Sequence, residues 1–511
     1  MSETQYYLFL FLSFLSPVLL ILFFNNLSKP KSGSRRLPSP PALPLIGHLH
    51  LVGGFFHKSL QNLSTQYGSI FYLRLGFYES IVVSSAPVAH EIFKTQDIVF
   101  AQHPFPKLCF GDELPYAKCG FFNAPYGDYW RFMKKLCISQ LLSPGQLERS
   151  RVVREEEFAR FVRELLESAK KKEVVNLGAE LIKLTNNTLC TMAMSTRCSE
   201  EGDKADRIRE YLKTTYEIGS KIVLGDVLGP LSRVVLWLYG KQFTELHLGI
   251  DGLLEGILKE HEEHIGEREN EDLMDILLKV FRDDKAEAKI SRIHLKSFLY
   301  DIIVGGTGTL AEAIVWLMAE LINHPNVFHK LREEIRSVVG STRLVEESDV
   351  ANLPYLQAVV KETLRLYPPF PVTTRQCRQS CQLAGFDMPQ KTVVFINLYA
   401  IMRDPEVWDN PNEFWPERFL VSNKEHKQDR TGGETLLSFG AGRRACPGSR
   451  LGLIMMHTAV AAMVQCFDWK FRVDGHSGKV NMEAGKGVFM HLAQPLTCLP
   501  VVHFNPFASS I

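Results

Sequence analysis

The sequence predicts one large, mainly α domain with a minor β region, preceded by a single N-terminal membrane-spanning segment. Three observations carry this. Residues 129–141, 151–171, 245–267, 291–323, 327–338 and 353–367 show helical spacing of apolar side chains or helix-forming composition. Residues 69–75 and 79–85 are β-branched or alternate apolar with polar, as in a hairpin or sheet edge, and further short strands are expected near 393–397 and the C-terminus. Length alone, 511 residues, would suggest about three domains. No linker or internal repeat divides the chain, however, and its 45% hydrophobic content suits one sizeable core. A net charge of +1 excludes a nucleic-acid protein that works through bulk charge.

Taken in order, the elements begin with residues 6–24, an almost unbroken apolar run long enough for about one bilayer crossing. Glu3 is the only charged side chain before it, whereas Lys29, Lys31, Arg35 and Arg36 follow, which leaves the body on the cytosolic side. A cleaved signal peptide is the alternative; the length of the run and the lack of a basic n-region and of a small-residue cleavage site stand against it. The chain therefore divides into an anchor (1–28), a basic and proline-rich hinge (29–50) and a body (51–511). Pro38, Pro40, Pro41 and Pro44 favour extended geometry in the hinge, whether it orients the body or merely links it. The ten cysteines lack paired spacings, and the nine besides Cys446 read as free thiols; Cys377 and Cys381 lack partners at zinc-ligand spacing. The sequons at Asn62 and Asn186 are expected to be unglycosylated in the cytosol.

The helix at 291–323 would be about 50 Å long at ~1.5 Å per residue, enough to cross the domain. Its middle reads Gly305-Gly306-Thr307-Gly308-Thr309. Three glycines cost on the order of 3 kcal/mol against alanine, so they need a reason, and close helix packing is one. Further on, Glu362 and Arg365 fall at i,i+3 and can pair, as many surface residues do.

The most specific signal is Phe439-Gly440-Ala441-Gly442-Arg443-Arg444-Ala445-Cys446-Pro447-Gly448, placed just before a helical stretch at 449–467. Glycines let the backbone approach something flat and bulky, the arginines and the helix start favour an ionised sulfur, and the amides beyond Pro447 are its expected hydrogen-bond donors. The spacing Phe-x-x-Gly-x-Arg-x-Cys-x-Gly resembles the haem-binding loop of the cytochrome P450 family, in which the cysteine is the axial ligand of haem iron. The hinge, Tyr129-Trp130-Arg131-Phe132-Met133-Lys134 and Pro416-Glu417-Arg418-Phe419 extend the resemblance over essentially the whole chain, and look like the plant A-type, endoplasmic-reticulum members.

What the resemblance implies is the cytochrome P450 fold, haem b as cofactor and Cys446 as its metal ligand. Phe439 and Gly448 would border the haem, with Trp130, Lys134, Arg375 and Arg444 at its propionates. Lys134 stands where the family usually has arginine, which loses the bidentate fork. Glu362, Arg365 and Arg418 would form a buried structural ion network. The glycine-rich stretch would make room above the iron, with Thr309 hydrogen-bonding oxygen there. The chain departs from the family pattern at Gly308, where an acid is usual, and at Leu310. Glu312, at i+4 from Gly308, is a candidate substitute proton relay, or else a solvated or core-paired acid. Lys135, Arg443 and Arg450 would form either a docking face for an acidic electron donor or an ordinary solvated face. No dinucleotide fingerprint is present, so NADPH would act through a separate NADPH-cytochrome P450 reductase. By analogy, residues 105–119, 303–306, 370–374 and 487–489 would face the substrate.

The implied activity is insertion of one oxygen atom from O2 into a lipophilic plant metabolite, with a triterpenoid favoured and a flavonoid as the alternative, at the cytosolic face of the endoplasmic reticulum. An oxygen-independent haem-thiolate isomerase or dehydratase, and a non-catalytic membrane haem or sterol binder, are the competing classes.

Overall fold

The computed structural model describes residues 37–104, 116, 119–197, 227–264, 271–283, 285, 287–420, 436–473, 476–487 and 489–508, with scattered positions in 7–16 and 210–225. The expected membrane segment at 6–24, the cationic cluster at 29–36 and most of the expected substrate-facing stretch 105–119 lie outside the described residues.

The first half of the body comprises α1 (Phe56–Tyr67), β1 (Ile70–Leu75), β2 (Tyr78–Val83), α2 (Asp128–Cys137), α3 (Arg151–Lys171), β3 (Val175–Asn176), α4 (Leu177–Met194) and α5 (Ser232–Glu263). There follow α6 (Leu273–Arg282), α7 (Arg292–Asn323), α8 (Pro325–Val339), α9 (Pro354–Leu366), β4 (Thr373–Gln376), β5 (Val393–Ile396), α10 (Ser449–Cys466), β6 (Phe467–Lys470) and β7 (Thr497–Val502). The fold is thus mainly helical with small sheets.

Strand order in the larger sheet is β1-β2-β5-β4, with Ile70 opposite Val83 and Ser80 beside Val393. Alternate burial along β1 follows from the period-2 pleat. The described part of the proline-rich hinge, residues 37–50, lies against this sheet. Tyr72 N–H donates to Pro38 O at 2.8 Å, Gly47 bridges Leu75, and Leu45 turns the chain at φ +62°. The second sheet, β3-β7-β6, carries the C-terminal strand.

The core gathers around α7, which is long and apolar enough to cross a membrane by composition alone but lies largely buried among α4, α9 and α10. Trp316 within it donates to Met490 O at 3.1 Å and stacks on Tyr367 at 4.1 Å. The expected helix at 129–141 ends at Cys137 and widens into a π turn, Ile138–Leu142. The helix expected from 245 begins at Ser232, thirteen residues earlier. Helices α1, α4 and α6 escape the periodicity reading. In α4 the run Thr185-Asn186-Asn187-Thr188 reads as polar and helix-averse, yet all four are buried against neighbours. Asn186 is therefore inaccessible to glycosylation, while Asn62 is exposed on α1. All eight described cysteines are free thiols.

Candidate functional site

The cysteine loop is built by its glycines. Gly440 and Gly442 have φ of +65° and +73°, and a Cβ on Gly442 would stand 2.3 Å from Phe93 O, so only glycine fits there. Gly448 has ordinary φ (−85°), and a Cβ there would make only an ordinary contact with Cys446 Sγ at 3.9 Å, so neither strain nor crowding demands glycine. Cys446 N–H closes the loop on Phe439 O at 2.9 Å. Cys446 is exposed by accessible surface, but the protein packed around its sulfur pushes the thiol pKa up, while the Gly448 N–H and Lys134 pull the other way. The cation acting on the sulfur is therefore Lys134, not the two arginines expected. Arg443 turns away to Asp97 (2.5 Å) and to Tyr126 Oη (2.9 Å).

Arg444 donates to Ala101 O (2.8 Å), Phe122 O (3.2 Å) and Ala124 O (2.5 Å), and lies 4.4 Å over the ring of buried Trp130. Lys134, one turn after Trp130 on α2, donates to Arg443 O and has its pKa lowered by burial and by Arg444. Arg375 leaves β4 and donates to Thr374 O at 2.8 Å. Burial lowers Arg375 to about 10; burial, Arg375 and Arg378 lower Arg444 to about 9. No carboxylate forms an ion pair with either among the described residues, so buried Arg375 and half-buried Arg444 carry uncompensated positive charge suited to an anionic ligand edge. His103, which sequence reasoning missed, lies beside both arginines, bonds to the Thr374 backbone and stacks on Phe122 at 5.0 Å. Burial and those arginines hold it well below the usual histidine range, so it stays neutral. Only its place before Pro104 in an apolar run could have hinted at it.

On α7 the glycines separate into two jobs. A Cβ on Gly306 would meet Leu189 Cδ1 of α4 at 2.5 Å, whereas one on Gly305 would meet nothing within 4 Å. Close packing therefore explains Gly306, and open space explains Gly305. Thr309 Oγ1 donates to Gly305 O at 2.7 Å, and Thr185 reaches across from α4 to Thr307 O at 3.1 Å. Glu312 has no hydrogen bond or ion pair among the described residues, and burial alone raises it to about 7. Of the expected substrate-facing groups, Phe370 and Phe489 are brought edge to face at 4.7 Å.

Beneath the site, Glu362 lies fully buried between Arg365 (2.7 Å) and Arg418 (3.0 Å). Arg365 also donates to Met402 O and Pro411 O, and Arg418 to Asp409 O, so the triad ties α9 to the chain approaching the loop. Of the expected basic face, Arg443 is paired as above and Lys135 pairs with Glu287 at 2.8 Å; Arg450 is exposed.

A thiol at a helix start, uncompensated positive charge near it and an open face on α7 together fit a planar, dianionic, iron-bearing group. Comparison with known proteins agrees. The Cytochrome P450 family model matches residues 37–496. Cytochrome P450 705A20 of Arabidopsis thaliana is 44% identical over 504 residues, 98% of this chain and 97% of that protein. Beta-amyrin 24-hydroxylase of Glycine max is 40% identical over 514 residues, covering 99% of each. The 3,9-dihydroxypterocarpan 6A-monooxygenase of Glycine max is 39% identical over 498 residues, 95% of this chain and 97% of that protein. In three dimensions the chain resembles a zebra fish cytochrome P450 determined with progesterone, at a TM-score of 0.75 and 24% identity over 87% of this chain and 99% of that one, a likeness of fold alone. With a family match over residues 37–496, and relatives 39–44% identical over nearly the whole of both chains, the chain belongs to the cytochrome P450 family of monooxygenases.

Proposed function

We propose that this chain inserts one oxygen atom from O2 into a lipophilic plant specialised metabolite, with a triterpenoid favoured, using electrons from NADPH delivered by a separate reductase. The observation that carries the reading is Cys446, held at the start of α10 near Arg375 and Arg444, neither of which forms an ion pair with a carboxylate among the described residues. Haem, when bound, supplies the iron at which O2 is activated. Cys446 would be its thiolate ligand, with the Gly448 amide donating to sulfur and so tuning the electron density it gives. Arg375, Arg444, Lys134 and neutral His103 would hold its anionic edge, with Trp130 and Phe439 as apolar neighbours. Glu362, Arg365 and Arg418 fix the backbone leading into the loop.

Thr309 shares its proton with Gly305 O and keeps lone pairs toward the distal space, so it accepts one proton as it gives another. Glu312 holds its own proton near neutral pH and lies one turn further on, so it replenishes Thr309 where Gly308 leaves no acid. Phe370 and Phe489 offer an apolar wall.

The triterpenoid preference draws on the 40% likeness to a protein named for beta-amyrin; the 39% likeness to a pterocarpan monooxygenase keeps a flavonoid-type substrate as the second reading. The chain works at the cytosolic face of the endoplasmic reticulum, anchored by residues 1–28. An exposed apolar surface supports this: Leu43, Leu45 and Ile46 adjoin Phe77, which packs on Gly229, and α5 continues it through Val234, Trp237 and Leu238.

The test is a reduced, carbon-monoxide difference spectrum of the purified full chain, followed by turnover with reductase, NADPH and a panel including beta-amyrin and 3,9-dihydroxypterocarpan. A thiolate-type band lost in Cys446→Ala, with NADPH- and O2-dependent product, is the expected result. Folded, haem-loaded protein without that band overturns the ligand assignment; product formed without O2 or NADPH indicates an isomerase, and ligand uptake without turnover across the panel a binder.

A further inference from the structure

Asp301 stands about two helical turns before Thr309 on α7. Its carboxylate accepts Phe122 N–H at 2.9 Å and the N–H of Phe121 as well. The approach depends on the glycine before them, because a Cβ on Gly120 would lie 2.8 Å from Asp301 Oδ2 and 2.7 Å from Tyr116 O. The other side of the same strap is held by Arg444, through Phe122 O and Ala124 O. Between these holds, Phe121 packs edge to face on Phe298 at 5.9 Å and stacks on Trp130 at 6.0 Å. The strap thus joins the open face of α7 to the cysteine loop, with amides held at one end and carbonyls at the other. A carboxylate is well matched to two amides from one turn, and a guanidinium to a fan of carbonyls. Asp301 has no other bonded partner among the described residues, so its role is exhausted by the strap.

We propose that Asp301 is a positioning residue that fixes the Gly120–Ala124 strap against α7 and so sets the size and shape of ligand admitted above the haem. The test uses the full haem-loaded chain in lipid vesicles. Peptide-level hydrogen exchange over residues 119–124 is compared for wild type, Asp301→Ala and Asp301→Asn, and imidazole and 4-phenylimidazole serve as small and bulky optical probes of the pocket. Asp301→Ala is expected to exchange about tenfold faster there and to change the ratio of the two probe affinities by about fivefold. Asp301→Asn, which keeps one acceptor oxygen, is expected to restore most of both. Unchanged exchange in the strap overturns the proposal, as does faster exchange that is equal in α8, since that marks a general loss of stability. An unchanged probe ratio with a loosened strap overturns the role in ligand admission. If Asp301→Ala does not load haem, Gly120→Ala presses the same contact from the opposite side and is expected to give the same local pattern. The probe arm rests on the haem-thiolate reading and fails with it; the exchange arm does not.

Discussion

Glu312 carries a charge problem that no neighbour solves. Buried without a cation, it holds its proton up to about pH 7, far above an ordinary glutamate. Its folded pKa exceeds its unfolded one, so the folded chain binds the extra proton between about pH 4.5 and 7. The stability this lends is complete below the unfolded value and is lost as pH rises through 7. Asp301, also raised to about 7 by burial, contributes in the same sense over a similar window. Glu312→Gln removes one of the two terms. Its Tm should therefore gain on wild type as pH rises from 5 to 8, and a scan of Tm against pH for both proteins measures this. In turnover the same variant should lose at least about tenfold in kcat and consume more NADPH per product, as removal of a proton donor does. An unchanged coupling ratio would leave Glu312 a stability residue. Sequence spacing found Glu312 because i and i+4 share a helix face; it did not find His103 or Asp301, whose partners are 19 or more residues away in the chain and meet only through the fold.

Among elements, α7 shows how a sequence signal splits once its neighbours are known. The three glycines looked alike in the chain because α4, the helix that Gly306 faces, was itself hidden by polar residues that packing overrides. With α4 in place, Gly305 and Gly306 should respond in opposite directions to one methyl group. Gly306→Ala drives a Cβ into Leu189 and should cost about 1–3 kcal/mol. Gly305→Ala meets open space and should stabilise the helix by about 0.5–1 kcal/mol, while narrowing the room above the haem. Thermal unfolding of the two variants separates packing from space. The triad under the loop makes a sharper prediction. Glu362→Ala strands two buried guanidiniums and should cost about 3–5 kcal/mol, seen as haem-poor protein with a much lower Tm, whereas Lys135→Ala, at an exposed pair, should change Tm little. The triad was legible because its motifs are short and contiguous, although the i,i+3 pair alone looked like any surface pair.

For the whole molecule, the mainly α architecture and the cysteine loop were legible because period and local spacing encode them, whereas surface continuity is assembled only by the fold. The segments 43–46, 77 and 231–238 lie far apart in sequence, yet Gly76 N–H bonds Ile46 O and Phe77 N–H bonds Val227 O, which joins them into one apolar margin. The described body also begins there, since Pro38 is bonded to β1. An anchor entering at this margin would bring it against the bilayer. Trp237, 82% exposed, is its largest side chain, and tryptophan suits the boundary between headgroup and hydrocarbon. Moving a few such side chains out of water is favourable by about 1.5–3 kcal/mol each, enough to fix the tilt of a tethered body. In vesicles of brominated lipid, the full chain should show quenched tryptophan fluorescence. Trp130, Trp316 and Trp408 are buried in protein, Trp469 is half-buried with its N–H on Met463 O, and Trp415 lies under Arg418 of the triad, so Trp237→Phe should remove most of the lipid-quenchable signal. If Trp237 instead stays open to aqueous iodide while the protein is membrane-bound, this margin faces water and the body hangs from its first 28 residues alone.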